Sequence, residues 1–293
     1  MRIQSELGGT FTLKGINKTI HRIGYGAIQL TGPMAWGEPA DHNGAVDVVR
    51  EVVKAGINHI DTSDYYGPHI ANKIIKEAIH PYPQNLLIVS KIGARRGEDK
   101  SWPKALSEKE LTSAVEDNLN HLGLDALDVV NLRLGEAQST NEDSLVEPLR
   151  ILVKLKEQGL IRGIGLSNIS HKQFKESEDI ADVICVQNHY NLVHRRDDAL
   201  INELSDKGIA FVPFFPLGGF RPIQATTLEA VATSFGATPK QIALAWLLQR
   251  SPNILLIAGT SSVKHLHENI AAASLQLPSE VIDELNQLYQ AKG

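Results

Sequence analysis

The chain has 293 residues, of which 42% are hydrophobic and 22% are charged, and its formal net charge is −5. A chain of this length can bury a large apolar core as a single α/β domain, without disulfides or metals to support it. The negative balance argues against general nucleic-acid binding, which needs a basic face. The single cysteine, Cys185, lies in an apolar run and is expected to be a small buried side chain.

No segment has the pattern of a secretory signal or of a membrane span. The N-terminal residues 1–13 mix polar and charged residues with apolar ones, and no apolar run approaches the ~20 residues that a spanning helix needs. We therefore expect a cytoplasmic protein with one domain over residues 1–293. We also expect no nucleic-acid or membrane partner, and a monomer or weak oligomer.

In chain order, short β-branched runs alternate with longer runs of helical periodicity. The segment 10–22 has the pattern of a β-hairpin, with a polar turn between two alternating runs. Eight runs after it are predicted as strands. They are 23–27, 59–61, 87–92, 127–132, 163–166, 183–187, 209–214 and 254–258.

The helical runs carry start and stop signals. Ser107 and Glu110 form a capping box, and Thr238 precedes Pro239 as an N-cap before a first-turn proline. The other predicted helices are 43–55, 68–80, 145–158, 196–207, 263–273 and a shorter one over 171–179. Eight strand–helix alternations favour a closed (β/α)8 barrel, with the N-terminal hairpin closing its bottom.

An open, doubly wound sheet is the alternative arrangement of alternating strands and helices. Such a sheet normally shows a glycine-rich turn that leads from its first strand into a helix. The two paired glycines at 24–26 and 163–165 lack the third glycine and the following helix. We therefore interpret them as packing glycines and retain the barrel.

Active sites of these barrels lie at the carboxyl ends of the strands. Acidic, basic, hydroxyl and amide side chains collect at those ends in this sequence. They include Asp61, Tyr66, Lys91, Arg133, Ser167, Asn168 and Gln187.

The motifs at the strand ends resemble those of the aldo-keto reductases. They are Ile60-Asp61-Thr62-Ser63, Tyr66-Gly67, Ile88-Val89-Ser90-Lys91, Gly163-Ile164-Gly165-Leu166-Ser167-Asn168, Gln187, Tyr190-Asn191 and Pro216-Leu217-Gly218-Gly219. The resemblance covers nearly the whole chain in the family's order and spacing. Within the family, stretches 59–69, 91–99, 212–220 and 259–262 are most like bacterial pyridoxal reductases.

The resemblance implies NADPH-dependent reduction of an aldehyde or ketone to an alcohol, with pyridoxal to pyridoxine as one reaction. Asp61, Tyr66 and Lys91 match the catalytic positions, with Tyr66 as the proton donor. A free tyrosine has a pKa of about 10, and a nearby lysine ammonium should lower it. The alternative for Asp61 and Lys91 is a purely structural ion pair.

The family's usual fourth catalytic residue is a histidine, and Arg133 stands at that position. Arginine can donate hydrogen bonds to a developing oxyanion but cannot shuttle a proton. Arg133 therefore either polarises the carbonyl, binds an anionic substrate group, or turns outward to a loop carboxylate.

The resemblance also implies a nicotinamide cofactor, NADPH with NADH as the alternative, and a small carbonyl substrate. The residues that match cofactor-binding positions are Ser167, Asn168, Gln187, Phe214, Leu217, Gly218, Gly219, Gly259, Thr260, Ser261, Ser262, Lys264, His265, Glu268 and Asn269. No metal is predicted, because His265 and His267 are two apart and cannot share a helix face.

Aromatic residues of the loops are the candidates for the substrate pocket, with ordinary packing as the alternative for each. They are Trp36, Tyr65, Trp102 and Phe220. Arg95 and Arg96 follow Lys91 closely, and either neutralise a phosphate or form a solvated pair.

Two other functions remain open on the sequence. The first is a regulatory subunit that holds the cofactor and turns over slowly, which the unusual Arg133 allows. The second is an aldolase that forms a Schiff base on Lys91, since barrels also host such lysines.

Overall fold

A computed structural model of the protein describes residues 7–135, 141–218 and 226–290. Nine strands are present in these ranges: β1 Thr10–Leu13, β2 Lys18–His21, β3 Tyr25–Gly26, β4 His59–Asp61, β5 Leu87–Ile92, β6 Leu127–Arg133, β7 Ile161–Ser167, β8 Val183–His189 and β9 Ala210–Phe214. Strands β3 to β9 form one parallel sheet in chain order. This is the order that a barrel of right-handed β-α-β units requires.

The α-helices of the described residues are α1 His42–Lys54, α2 Ile70–Ile79, α3 Glu108–Leu122, α4 Val146–Glu157, α5 His171–Ser177, α6 Asp198–Lys207, α7 Thr226–Ser234, α8 Pro239–Arg250, α9 Val263–Ala271 and α10 Ser279–Gln290. Helices α1 to α6 lie between successive strands of the sheet, and α7 to α10 follow the last strand. The predicted capping boxes are present at Ser107 and Thr238, each with its reciprocal hydrogen bond. The sequence analysis did not identify α7 and α10.

The predicted barrel is confirmed, but its eighth strand is not continuous. The predicted strand 254–258 contributes only two isolated parallel bridges, Phe211↔Ile254 and Ile23↔Leu256. Backbone bonds link Leu256 to Arg22 and Gly24 on one side, and Leu255 to Phe211 on the other. One segment thus joins both edges of the sheet, and its few pairs are too scattered to form a ladder.

The first barrel strand is also shorter than predicted, two residues instead of five. The chain leaves the sheet at Ala27 and enters a 3-10 turn, Ala27–Leu30. The helix expected from residue 68 begins at Ile70, because the backbone of His69 is left-handed, with φ of 67°. Both differences arise where the chain turns sharply at the carboxyl end of a strand.

The N-terminal hairpin closes the bottom of the barrel, as predicted. Strands β1 and β2 pair antiparallel from Thr10↔His21 to Leu13↔Lys18. Their buried side chains Leu13 and Ile20 belong to an apolar cluster with inward-facing residues of the barrel strands. Those residues are Leu87, Val89, Val129, Ile184, Cys185, Ala210, Val212, Leu255 and Ile257. The lower half of the barrel is therefore a packed core, which leaves polar chemistry to the upper end.

Arg22 ties the hairpin to the closing segment. Its guanidinium donates to the carbonyl oxygens of Leu248 at 2.7 Å, Ser251 at 2.6 Å, Ile254 at 3.1 Å and Gly8 at 3.3 Å. Four carbonyls from three chain segments therefore depend on one side chain.

We predict that Arg22→Gln lowers the free energy of unfolding by about 2–3 kcal/mol, because charged donors are lost and buried carbonyls keep no partner. Urea unfolding followed by circular dichroism measures the change. Arg50→Gln is the control, since Arg50 is exposed and pairs only with Asp47. Equal midpoints for the two variants would contradict the role given to Arg22.

Candidate active site

A cavity of about 620 Å³ opens at the carboxyl ends of the barrel strands. Thirteen predicted site residues line it. They are Asp61, Tyr65, Tyr66, Lys91, Trp102, Arg133, Ser167, Asn168, Gln187, Phe214, Leu217, Gly259 and Ser261. The volume lies within the range of small-molecule and cofactor sites.

A buried ion pair lies at the floor of this cavity. Asp61 ends β4, and Lys91 is the fifth residue of β5; their side chains are 4% and 6% exposed. The Lys91 Nζ donates to Asp61 Oδ1 and, at 3.0 Å, to the carbonyl of Thr62. The other carboxylate oxygen, Oδ2, accepts from Gln187 Nε2 at 2.8 Å. Burial is the largest single influence on Lys91 and would lower its pKa, but the charge and hydrogen bond of Asp61, together with the neighbouring Tyr66 and Tyr65, outweigh it, so that the pKa is raised and the ammonium persists.

Strand register explains why these two side chains meet. Asp61 pairs with Val89 across β4 and β5, and Lys91 is two residues further along β5. Side chains alternate along a strand, so Val89 and Lys91 share the inward face. A second polar row follows on the next strands, where Arg133 pairs with Ser167 and Ser167 with Gln187.

Tyr66 lies over this pair. The Lys91 Nζ is 5.3 Å from the centroid of the Tyr66 ring. The expectation of a lowered tyrosine pKa is wrong for the net effect: burial raises the pKa of Tyr66 to about 12, although the charge of Lys91 opposes the rise. The sequence indicates the neighbouring cation but not the depth of burial, and burial has the larger effect.

Trp102, which precedes α3, forms an aromatic cluster with the two tyrosines. Its ring centroid is 5.4 Å from Tyr65 and 6.5 Å from Tyr66, in edge-on arrangements. Trp36 does not line the cavity itself; its ring lies 5.3 Å from the guanidinium of Arg96. Phe220 lies outside the described residues.

Arg133 faces the cavity from the end of β6. Its Nε donates to the carbonyl of Gly135 at 3.3 Å, and its guanidinium lies 5.4 Å from the Trp102 ring. No carboxylate pairs with it among residues 7–135, 141–218 and 226–290. The outward-facing alternative therefore does not describe its conformation in this structure.

Amide and hydroxyl groups form the wall opposite Tyr66. The Gln187 Oε1 is buried and has no hydrogen-bond partner among the described residues. Ser167 Oγ donates to Asn168 Oδ1 at 2.8 Å. The backbone of Asn168 is left-handed, with φ of 58°, which turns the chain away from β7 at this point. An unsatisfied buried oxygen in a cavity indicates a place for a ligand N–H group.

Phe214 and Leu217 line the cavity after β9. The Phe214 ring stacks on His189, with centroids 5.7 Å apart. Gly218 follows with φ of 92°, a backbone conformation that favours glycine. Gly219 lies outside the described residues.

The first and last segments of the barrel meet closely at the cavity rim. A Cβ on Gly259 would lie 2.6 Å from the carbonyl oxygen of Gly26, which requires glycine there. Tyr25 donates its hydroxyl to the carbonyl of Thr260 at 2.6 Å. Thr260 itself is buried and lies off the cavity lining, whereas Ser261 lines it.

The N-terminus of α9 follows this rim. Ser262 caps the helix through the backbone N–H of His265. Lys264 and His265 are exposed, Glu268 is half-buried and Asn269 is buried, and none of the four lines the cavity. The helix end supplies backbone donors that suit a phosphate, with a cation nearby.

The loop after β3 lines the cavity with residues other than its predicted contact, Trp36. Its lining residues are Gly26, Ala27, Ile28, Gln29, Thr31, Gly32, Pro33, Met34, Ala35, Pro39, Ala40 and Asp41. The Met34 side chain is 59% exposed, although it is large and apolar.

Asp64, His69 and His121 also lie together, with their ligand atoms within 4.8 Å of one another. No metal was expected from the sequence, which did not bring these residues together. The two carboxylate oxygens of Asp64 bond His69 Nδ1 at 2.6 Å and His121 Nδ1 at 2.9 Å. Both carboxylate oxygens are therefore already occupied by histidine.

Comparison with known proteins identifies the family. The profile of the "Aldo/keto reductase family" matches residues 22–290. The chain belongs to the aldo/keto reductase family. Pyridoxine 4-dehydrogenase of Escherichia coli is 57% identical over 94% of this chain and 97% of its own.

Solved structures share the same barrel. A thermostable aldo-keto reductase, Tm1743, solved with the inhibitor epalrestat, superposes with a TM-score of 0.82 at 28% identity, covering 96% of this chain and 99% of that one. An aldo/keto reductase of Klebsiella pneumoniae, solved with NADP and acetate, gives 0.79 at 24% identity and 96% coverage of both, and shows the fold alone. The family predicted from the motifs is confirmed.

No helix among the described ranges is long and apolar enough to cross a membrane.

We predict that Asp61→Asn lowers the free energy of unfolding by about 3–5 kcal/mol, because Lys91 then keeps a buried charge without its counter-charge. The double variant Asp61→Asn/Lys91→Met should be destabilised by less than the two single changes together. A double-mutant cycle by urea unfolding measures the difference.

Asp47→Asn is the control, because Asp47 pairs with Arg50 on the exposed face of α1. Additive single and double effects would show that Asp61 and Lys91 are not energetically coupled.

Proposed function

We propose that this protein reduces an aldehyde to an alcohol with NADPH, and that pyridoxal is among its substrates. The observation that carries the proposal is the buried Asp61–Lys91 pair beneath Tyr66, on the floor of a cavity at the upper end of the barrel. The 57% identity to pyridoxine 4-dehydrogenase supports the substrate class.

Tyr66 is proposed as the general acid. Negative charge builds up on the carbonyl oxygen during reduction, and the Tyr66 hydroxyl supplies the proton that neutralises it. The Lys91 ammonium stabilises the phenolate that remains, because it lies close to the ring in a site of low dielectric. Asp61 keeps that ammonium charged and directed, with Gln187 fixing the second carboxylate oxygen.

Arg133 completes the proposed catalytic set at the position usually held by histidine. A guanidinium cannot give up its proton at physiological pH, so its contribution is electrostatic. Its orientation toward the cavity fits donation to the carbonyl oxygen or to an anionic substituent of the substrate.

The cavity residues fit a nicotinamide cofactor, which supplies hydride when bound. The unsatisfied Gln187 Oε1, with Ser167 and Asn168, suits a carboxamide, and the Phe214 ring suits stacking on a flat ring. Leu217 and the glycines 218 and 219 are proposed for the pyrophosphate, together with Gly259 at the rim. The remaining proposed cofactor contacts are Thr260, Ser261, Ser262, Lys264, His265, Glu268 and Asn269.

The N-terminus of α9 favours NADPH over NADH in this proposal. Ser261 and Ser262 lie at a helix start that suits an extra phosphate, and the exposed Lys264 adds a positive charge. Tyr65 and Trp102 are proposed substrate contacts from the other side of the cavity, with Trp36 and Phe220 on the adjoining loops.

The aldolase alternative conflicts with the environment of Lys91. A Schiff base needs a neutral amine, whereas Asp61 raises the pKa of Lys91 and holds it as an ammonium. The regulatory-subunit alternative predicts tight cofactor binding with no turnover, which the experiment below separates. We further propose one domain over residues 1–293, acting in the cytoplasm as a monomer or weak oligomer.

We predict that the protein oxidises NADPH in the presence of pyridoxal, and that Tyr66→Phe lowers kcat by about 10²–10⁴-fold because the proton donor is lost. The measurement is the fall in NADPH absorbance, with cofactor binding followed separately by fluorescence. Tyr289→Phe is the control, since that ring is 44% exposed, far along the chain at α10.

If the protein reduces other aldehydes but not pyridoxal, the proposed reaction stands and pyridoxal is not among its substrates. Tight NADPH binding with no turnover of any carbonyl would favour the regulatory subunit.

The raised pKa of Tyr66 predicts the pH dependence. With a pKa of about 12 the hydroxyl stays almost fully protonated up to about pH 9, so kcat for reduction should be constant from about pH 6 to 9. The reverse oxidation of the alcohol needs the phenolate, whose fraction grows about tenfold per pH unit below the pKa. Initial rates in both directions across this range test it.

Lys91→Met removes the cation that favours the phenolate, and should depress oxidation at each pH. A reduction rate that halves near pH 7 or 8 would show that Tyr66 ionises far below the expected range.

A further inference from the structure

The guanidinium groups of Arg96 and Arg133 both lie against the indole ring of Trp102, which lines the cavity. The Cζ of Arg96 lies 3.7 Å from the centroid of Trp102, and the Cζ of Arg133 lies 5.4 Å from the same centroid. Arg96 also lies 5.3 Å from the centroid of Trp36. Trp102 itself contacts the edge of Tyr66, so this cationic pair lies beside the proposed proton donor.

Neither arginine pairs with a carboxylate in the part of the chain that the structure describes. Within residues 7–135, 141–218 and 226–290, every ion pair that forms involves other cations. Among the described residues, the Nε and Nη1 of Arg96 are shielded from solvent and have no hydrogen-bond partner, and its Nη2 donates to the carbonyl of Met34 at 3.2 Å. Burial, with the like charge of Arg133, lowers the pKa of Arg96.

Such an arrangement is unfavourable without a ligand. Buried donors are normally satisfied, and two neighbouring cations repel each other in a site of reduced dielectric. An anion between them would satisfy the free donors and remove the repulsion. A carboxylate suits the site, because the planar fork of a guanidinium matches its two oxygens at once.

The location separates this site from the proposed cofactor contacts. Arg96 follows β5 and Arg133 ends β6, whereas Phe214, Leu217 and Ser261 follow β9 and the closing segment. These groups lie on different parts of the sheet order. We therefore expect the negatively charged group that binds here to belong to the substrate and not to the cofactor.

We propose that Arg96 and Arg133, stacked on Trp102, form a subsite for an anionic group of the substrate, so that the enzyme prefers planar aldehydes carrying a negatively charged oxygen substituent. This inference rests on the proposed reductase function. Arg96 acts as a specificity-determining residue, because it lies next to the cavity and takes no part in proton transfer.

Matched aldehydes test the subsite. The anionic probes are 3- and 4-carboxybenzaldehyde, and the neutral probes of the same shape are 3- and 4-nitrobenzaldehyde. We expect Arg96→Gln to lower kcat/KM for the carboxy compounds by about ten- to thirtyfold, mainly through KM, as the loss of a hydrogen bond to a charged group predicts. The nitro compounds should change by less than about threefold.

Arg95→Gln is the matched control. Arg95 is the neighbouring arginine, but its side chain is exposed, and the described cations that lie over the Trp102 ring are those of Arg96 and Arg133. It should leave both classes of aldehyde unchanged. Arg96→Lys should recover only part of the preference, because lysine keeps the charge but lacks the flat group that stacks on the ring.

Binding without turnover gives an independent readout. Titration with benzoate, followed by tryptophan fluorescence, should saturate in the unmodified protein and need about tenfold more benzoate in Arg96→Gln. A Trp102→Phe variant assigns the signal to this ring among the three tryptophans.

Each failure points to a different conclusion. Equal losses for carboxy and nitro aldehydes, or no loss for either, overturns the subsite while the reductase function stands. A weaker NADPH affinity in Arg96→Gln, with the substrate preference unchanged, assigns the arginine to the cofactor and also overturns it. If no aldehyde is reduced, the reductase proposal fails, and the benzoate titration alone decides whether the anion site exists.

Discussion

The buried contact between Lys91 and Asp61 is the interaction on which the site depends. Two opposite charges at this depth are stable only as a pair, since either one alone would be left desolvated without compensation. The pairing in turn requires that β4 and β5 keep their register, because a shift of one residue would turn Lys91 to the outer face. Polar side chains behind the strands support this: Ser90 donates to Asn118, and Thr62 donates to Asn72. The same contacts therefore position the Asp61–Lys91 pair and maintain the register of the strands that carry it.

Burial has two opposing effects on Tyr66. It raises the pKa of the hydroxyl, and it strengthens the attraction between the phenolate and Lys91. The first effect keeps the acid protonated before reaction, and the second stabilises the ion that remains when the proton has gone. A wetter site would weaken both. The closed lower core, with Leu87, Val89 and the hairpin side chains, excludes water from below and so contributes to the chemistry of the upper end.

The barrel was predicted because strands and helices have local signals, whereas Asp61 and Lys91 were assigned by the resemblance of their motifs to a family. Alternating strand and helix patterns, the capping box at Ser107 and polar residues at strand ends are all readable along the chain. The closing segment 254–258 was predicted as a continuous strand but forms only isolated bridges. Its apolar pattern does not indicate how many backbone hydrogen bonds it makes with neighbouring strands. Helix α10 was missed although its own apolar residues recur with helical spacing, whereas the wall around Met34 depends on neighbours that are distant in sequence. The predicted direction of the Tyr66 pKa shift was wrong, because the burial that raises the pKa is a property of the folded chain.

Arginine at the fourth catalytic position changes what the site can distinguish. A neutral imidazole could donate to a carbonyl oxygen without favouring a charged substrate, whereas a guanidinium introduces a permanent positive charge. This charge lines the same cavity as the Lys91 ammonium, and the carboxylate of Asp61 is already engaged by Lys91 and Gln187. The Trp102 ring partly stabilises the two guanidinium charges, because the face of an indole attracts cations and both Arg96 and Arg133 lie against it. An aromatic face does not neutralise two charges, however, and the free donors of Arg96 remain. The remaining positive charge is thus available to an anionic substrate, which makes substrate charge a determinant of specificity in addition to the carbonyl itself.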